Sequence, residues 1–206
     1  MAATTRYARR VFINCPFDDD YVPIFEAIVF TIQALGFEPV SARIRVNSGE
    51  VRLLRIARLI RSCRYSVHDL SRTEVDPNHA LPRFNMPLEL GLDLGCKIFN
   101  TKYAGKSLLI FDRERYRFQR YVSDIAGQDI AEHGNDPARA IGKVRDWLRA
   151  ESGLENICGP ATLIERYGRF RKQLPAICRR LKIRPAELTF VDFTYSIAYW
   201  LQRTAR

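Results

Sequence analysis

The chain has 206 residues, 47% of them hydrophobic and 27% charged, which allows one sizeable core plus an appendage and excludes a disordered chain. Lys and Arg outnumber Asp and Glu by 33 to 23, and the net charge of +10 favours anionic partners such as nucleotides, nucleic acid or phosphate groups. Five cysteines without a close pair argue against a disulfide framework or a zinc site. No apolar run is long enough for a signal peptide or a membrane span, so a cytoplasmic protein is expected.

Predicted strands and helices alternate along the first three quarters of the chain. Strands are predicted at residues 10–14, 37–43, 65–70, 107–111 and 129–132, and helices at residues 23–35, 50–63, 87–95, 116–127 and 136–151. Such alternation implies right-handed crossovers and a parallel sheet. Residues 1–152 are therefore predicted to form an α/β domain, a flavodoxin-like three-layer sandwich with about five strands.

The alternation stops after Gly159. Residues 153–206 are predicted to form a helical extension packed on the α/β domain, with helices at residues 162–181 and 185–203. The last of these helices is rich in aromatic residues, namely Phe190, Phe193, Tyr195, Tyr199 and Trp200. They either cover the core or form the contact of a homo-oligomer.

Arginine recurs at every third position between residues 52 and 64. A three-residue step drifts around a helix, so the predicted buried stripe of this helix is Leu53, Ile56, Ile60 and Cys63. The favoured interpretation of the arginines is a solvated basic face, and a nucleic-acid patch is the alternative.

Ligands of an open parallel sheet bind outside the carboxyl ends of its strands. The loops at residues 14–20, 68–85 and 112–113 meet that rule, and the second leads to Glu89. Glu89 is predicted in the first turn of a helix, where the helix dipole would keep its carboxylate ionised and suited to stabilise or attack a sugar cation. The alternative is a capping role at the helix start. Asp69 is either a partner in the chemistry or a cap for its loop, and His68 is expected to face a layer of helices.

Several segments resemble two related families. Val11 to Asn14 before an acidic turn, Ile56 to Val67, and a Ser-containing loop leading to Glu89-Leu90 are similar to the strand, helix and Glu-Leu elements of Toll/interleukin-1 receptor (TIR) domains. Leu88 to Lys97 resembles the Glu-Leu-Gly and Gly-Lys elements of nucleoside 2-deoxyribosyltransferases. The resemblance covers residues 10–112, about half of the chain.

The resemblance implies cleavage of an N-glycosidic bond, with Glu89 as the catalytic glutamate. The pocket would be lined by Phe12, Asn14, Arg43, Asp69, Ser71, Arg83 and Asn85, with Arg43 as a phosphate contact. NAD is favoured as the substrate because nicotinamide leaves as a neutral base from a cationic ring, so that one carboxylate suffices. The chain lacks Gly-x-Gly-x-x-Gly, Walker and His-x-x-x-His motifs, and neither a cofactor nor a metal is implied.

The leading hypothesis is a nucleotide N-glycosidase that splits NAD into nicotinamide and an ADP-ribose product. By analogy with TIR domains, it would act as a homo-oligomer and as an effector or signal producer of bacterial defence. One alternative is a nucleoside 2-deoxyribosyltransferase or nucleotide hydrolase. The other is a non-enzymatic module that senses a nucleotide or binds a protein partner.

Overall fold

The computed structural model describes residues 6–44, 47–73 and 84–204. It contains one five-stranded sheet, in the order β2-β1-β3-β4-β5. The strands are β1 Arg10–Asn14, β2 Glu38–Ser41, β3 Tyr65–Asp69, β4 Ser107–Asp112 and β5 Ala131–Glu132. This is the strand order of flavodoxin-like folds, and the predicted α/β class with a parallel sheet of five strands is confirmed.

Six α-helices accompany the sheet in the described ranges. They are α1 Val22–Ala34, α2 Arg52–Arg61, α3 Asn85–Phe99, α4 Pro137–Ser152, α5 Pro160–Leu181 and α6 Phe190–Thr204. Gly36, with a φ of 84°, ends the first helix as expected for a C-cap glycine. The last helix begins later than predicted, after the 3-10 turn Pro185–Glu187. Thr189 and Asp192 exchange side-chain and backbone hydrogen bonds in a capping box that sets its start.

The predicted helix at residues 116–127 is wrong. The chain forms two 3-10 turns there, Arg117–Arg120 and Ser123–Ile125. Tyr116 has a left-handed φ of 62°, and Val122 between the turns has a non-helical backbone, so no continuous helix can form. Phe118 and Ile125 are nevertheless buried, which explains the misleading apolar pattern.

The register of the sheet determines which residues meet at its carboxyl edge. Asn14 of β1 lies opposite His68 of β3, and Asp69 lies opposite Phe111 of β4. Asp112 in turn lies opposite Glu132 of β5, and all three pairings are parallel. The strands therefore place a series of polar residues at the edge where ligands bind in such sheets.

The chain divides into two compact units, each discontinuous in sequence. The first comprises residues 1–22 and 40–136. Part of its core joins sheet residues to α2 and consists of Phe12, Val40, Ala42, Ile56, Ile60 and Cys63. Leu53, predicted as buried with this stripe, is instead exposed because it lies in the first turn of α2, beyond the part of the helix that the core covers.

The second unit comprises residues 23–39 and 137–206 and has an aromatic core. The ring of Phe30 packs against those of Phe170 and Trp200, at 5.3 and 5.9 Å between centroids. Phe190, Phe193 and Trp200 of α6 are buried, as the core-covering alternative requires, whereas Tyr195 is exposed. The domain boundary at residue 152 and the homo-oligomer stay predictions.

Within the described residues, no helix combines the length and the apolar character that crossing a membrane requires.

Candidate functional site

A group of charged side chains surrounds the carboxyl end of β1, within the first unit. Arg43, Asp69, Glu89 and Asp18 all act electrostatically on the thiol of Cys15, the residue after β1. Burial raises the pKa of this thiol well above its usual value, so it stays protonated and is not a nucleophile. The structure thus brings Glu89, Asp69 and Arg43 of the predicted site to one place.

Glu89 lies deeper and later in its helix than expected. Because α3 begins at Asn85, Glu89 is its fifth residue and not part of the first turn. Its side chain is only 7% exposed, and in the described part of the chain its carboxylate has no hydrogen-bond partner. Burial raises the pKa of Glu89 to about 7, against a smaller lowering by Arg52.

The expectation of a fully ionised Glu89 is therefore wrong. The helix dipole acts mainly within the first turn, and Glu89 lies beyond it. Desolvation outweighs the charge of Arg52, so the carboxyl group exchanges its proton near neutral pH. A pKa in this range is typical of groups that act in acid-base or electrostatic catalysis.

A buried chain of polar groups holds α3 against the sheet. Nε2 of His68 lies 3.0 Å from Oδ2 of Asp93, which is one turn beyond Glu89. Lys106 approaches the other Asp93 oxygen at 3.2 Å and donates hydrogen bonds to the carbonyls of Ile60 and Cys63. Burial alone would raise the pKa of Asp93, but His68 and Lys106 hold it below its usual value.

Asn14 ties the end of β1 to the same helix. Its Nδ2 donates to the carbonyl of Met86 at 2.9 Å and lies 3.0 Å from Nδ1 of His68. With Asn14 as the donor, Nδ1 of His68 accepts and its Nε2 carries the proton toward Asp93. Met86, Glu89 and Asp93 share one face of α3, so the contacts at Met86 and Asp93 fix the position of Glu89 between them. His68 faces a helix, as predicted.

Asp69 organises the loops that follow β3 and β5. It accepts hydrogen bonds from the hydroxyl of Tyr21 and, at 2.8 Å, from the backbone N–H of Ser71. Nε2 of His133 lies 3.0 Å from the same carboxylate. Burial would raise the pKa of Asp69, but His133, Ser71 and Tyr21 together lower it. Asp69 is thus a loop cap that stays ionised, and its role as a substrate contact stays a prediction.

The other predicted pocket residues differ in their surroundings. Phe12 is fully buried in the core, and Arg43 stacks on the ring of Phe17 at 4.3 Å. The hydroxyl of Ser71 is buried and lacks a hydrogen-bond partner among the described residues. Asn85 is exposed as the first residue of α3. Arg83 lies outside the described residues.

Sequence reasoning missed several residues that shape the site. Arg52 was only one of five regularly spaced arginines, yet among the described residues it is the cation that acts on Glu89. Lys106 and His133 are single polar residues beside short strands, and nothing in their local pattern shows that they meet Asp93 and Asp69. A polar residue directly after or before a strand is the signal that was available.

Over residues 6–44, 47–73 and 84–204, no group of three or more His, Cys, Asp or Glu side chains is arranged to hold a metal ion. No family model, curated protein or solved structure matches the chain. The residues of the site itself are therefore the basis for a function.

Proposed function

We propose that the chain is a nucleotide N-glycosidase that splits NAD into nicotinamide and ADP-ribose, with Glu89 as its catalytic residue. The observation that carries the proposal is a buried carboxyl group, without a hydrogen-bond partner in the described residues, at the ligand-binding edge of a flavodoxin-like sheet. An ion in such a place is costly unless a ligand compensates it.

The chemistry requires only what this carboxylate can supply. The N-glycosidic bond breaks and its electron pair goes to the nicotinamide nitrogen, which leaves uncharged, while a cation develops on the ribose. Ionised Glu89 would stabilise this cation, and water then adds to it and releases a proton. Because NAD itself carries a positive nicotinamide ring, its binding would also lower the pKa of Glu89 and favour the ionised form.

The pKa of Glu89 gives specific support to a second candidate, a nucleoside 2-deoxyribosyltransferase or nucleotide hydrolase. A purine needs a proton to leave, and a carboxyl group with a pKa of about 7 still carries one in half of the molecules at neutral pH. The two candidates predict opposite pH profiles. A role for the ionised carboxylate gives activity that rises with pH through about 7, and a role as the acid gives activity that falls.

The test is release of nicotinamide from NAD by concentrated protein, run beside a panel of deoxynucleosides. Glu89→Gln keeps the shape of the side chain and removes its charge, and we expect it to lower turnover by about 10²- to 10⁴-fold. Glu114→Gln is the matched control, because the Glu114 side chain is 64% exposed and pairs only with its neighbour Arg113 in the described residues.

Three outcomes separate the candidates. Loss of NAD cleavage in Glu89→Gln but not in Glu114→Gln supports the proposal. Turnover of deoxynucleosides alone moves the assignment to the transferase. Equal activity of the two variants, or nucleotide binding without turnover, contradicts a catalytic Glu89 and favours a sensing module. A role in bacterial defence and a homo-oligomeric state are part of the same proposal, and light scattering tests the latter.

A further inference from the structure

A cavity of about 540 Å³ lies at the opposite edge of the sheet from Glu89, within the first unit. It is bounded by Arg10 at the start of β1, Arg61 at the end of α2, and Lys102 and Tyr103 just before β4. These are the amino ends of the strands, whereas the Glu89 site lies at the carboxyl ends. The cavity therefore belongs to a separate site.

Cations dominate the wall of this cavity. Arg6, Arg10, Arg61 and Lys102 line it together with Tyr7, and no carboxylate is among its lining residues in the described part of the chain. Burial raises the pKa of Tyr7 to about 12, so its hydroxyl stays neutral and remains a donor. Arg61 and Lys102 are exposed, and two cationic side chains beside a space of this size match a ligand with several negative charges.

A second, smaller cavity of about 350 Å³ adjoins the first. Arg61 and Tyr103 line both cavities, and Nε of Arg61 lies 3.4 Å from the hydroxyl of Tyr103. The rest of the smaller cavity includes the apolar side chains of Ala57, Ile60 and Leu92. A charged compartment beside an apolar one is suited to a ligand with a polyphosphate chain at one end and a planar ring at the other.

We propose that these two cavities form a binding site for a nucleoside polyphosphate, with the phosphates beside Arg61 and Lys102 and the base beside Ala57 and Leu92. A nucleic-acid strand fits less well, because the exposed Arg58 on the neighbouring face of α2 is paired with Glu50 at 2.7 Å. The proposal is independent of the activity assigned to Glu89, since the two sites share no residue.

The test is calorimetric titration of the full chain with ATP, GTP and inorganic triphosphate at fixed ionic strength. Arg61→Gln removes one cavity charge from an exposed position, so the variant is expected to fold, and Arg58→Gln removes the same charge from the same helix outside the cavity. We expect Arg61→Gln to weaken binding of ATP by about 10- to 100-fold and Arg58→Gln by less than about 2-fold.

A second variant tests the nucleoside half of the site. Ala57→Phe fills the smaller cavity and is expected to weaken binding of ATP while leaving inorganic triphosphate unaffected. Equal affinity of ATP and inorganic triphosphate would overturn the assignment of this cavity to the nucleoside. Absence of binding, equal losses in Arg61→Gln and Arg58→Gln, or a preference for a single-stranded oligonucleotide would overturn the site as a whole.

Discussion

Replacing Glu89 by Gln should stabilise the fold, and by an amount that depends on pH. The pKa of Glu89 rises from 4.5 to about 7 in the folded chain because burial disfavours the charged form. Each unit of such a shift corresponds to about 1.4 kcal/mol, so ionised Glu89 lowers the free energy of unfolding by about 3 kcal/mol. Gln has nearly the same shape and no charge, and it removes this penalty.

The sign of the pH dependence follows from proton linkage. Between pH 4.5 and about 7 the folded chain holds a proton on Glu89 that the unfolded chain has lost. The stability of the wild-type protein therefore falls through this window because of Glu89, whereas that of Glu89→Gln does not. We expect the variant to be more stable by about 1 kcal/mol near pH 5 and by about 3 kcal/mol near pH 8.5.

Urea unfolding of both proteins across this pH range measures the difference, in which the titration of all other groups cancels. Glu114→Gln should differ from wild type by less than about 0.5 kcal/mol at every pH, since its side chain is exposed. A difference between Glu89→Gln and wild type that stays constant with pH would show that the pKa of Glu89 is not raised. A loss of stability in Glu89→Gln would show that the carboxylate has a partner in the folded chain.

Three further predictions concern the buried network, the aromatic core and the activity. Lys106→Met should lower the free energy of unfolding by about 3–5 kcal/mol because it leaves Asp93 buried without this cation. Adding Asp93→Asn to the same chain should recover part of that loss, and a double-mutant cycle in urea measures the recovery. Phe170→Ala should lower the free energy of unfolding by about 3–5 kcal/mol, since the fully buried ring of Phe170 packs between Phe30 and Trp200. A decrease below about 1 kcal/mol in thermal or urea unfolding would contradict that packing. If NAD is the substrate, its kcat/KM should rise with pH and level off above about 7, where free Glu89 becomes ionised, and a profile that falls over this range would contradict an ionised catalytic group.

The sheet could be predicted from the sequence because its strands are short apolar runs that are bounded by turn-forming residues. β1 spans Arg10–Asn14, as predicted, and β4 extends one residue beyond its predicted end. The predicted first residues of the helices were less accurate. The sequence pattern predicts Pro87 as the first residue of α3, but it is the third. Every position in the first turn lacks an intrahelical acceptor for its N–H, so each of them tolerates proline. That shift moved Glu89 out of the first turn and changed its expected ionisation.

The candidate site was partly readable for a different reason. The rule for parallel sheets placed Asn14, Asp69 and Glu89 at one edge without any knowledge of their contacts. The partners that set their properties come from distant parts of the chain. His133 reaches Asp69 from the end of β5, and Lys106 reaches Asp93 from the start of β4. Local patterns carry no information about such pairs, so the direction of each pKa shift required the structure.

The contrast between Glu89 and Asp93 is the strongest physical argument for a ligand at the carboxyl edge. Both are buried carboxyl groups on one face of α3, four residues apart, yet burial raises the pKa of Glu89 while His68 and Lys106 lower that of Asp93. The described structure compensates one charge and leaves the other without a hydrogen-bond partner. Since proteins are stable by only about 5–15 kcal/mol, a charge whose burial removes about 3 kcal/mol takes a large fraction of the total. A group retained at such a cost is expected to meet its partner in a bound ligand.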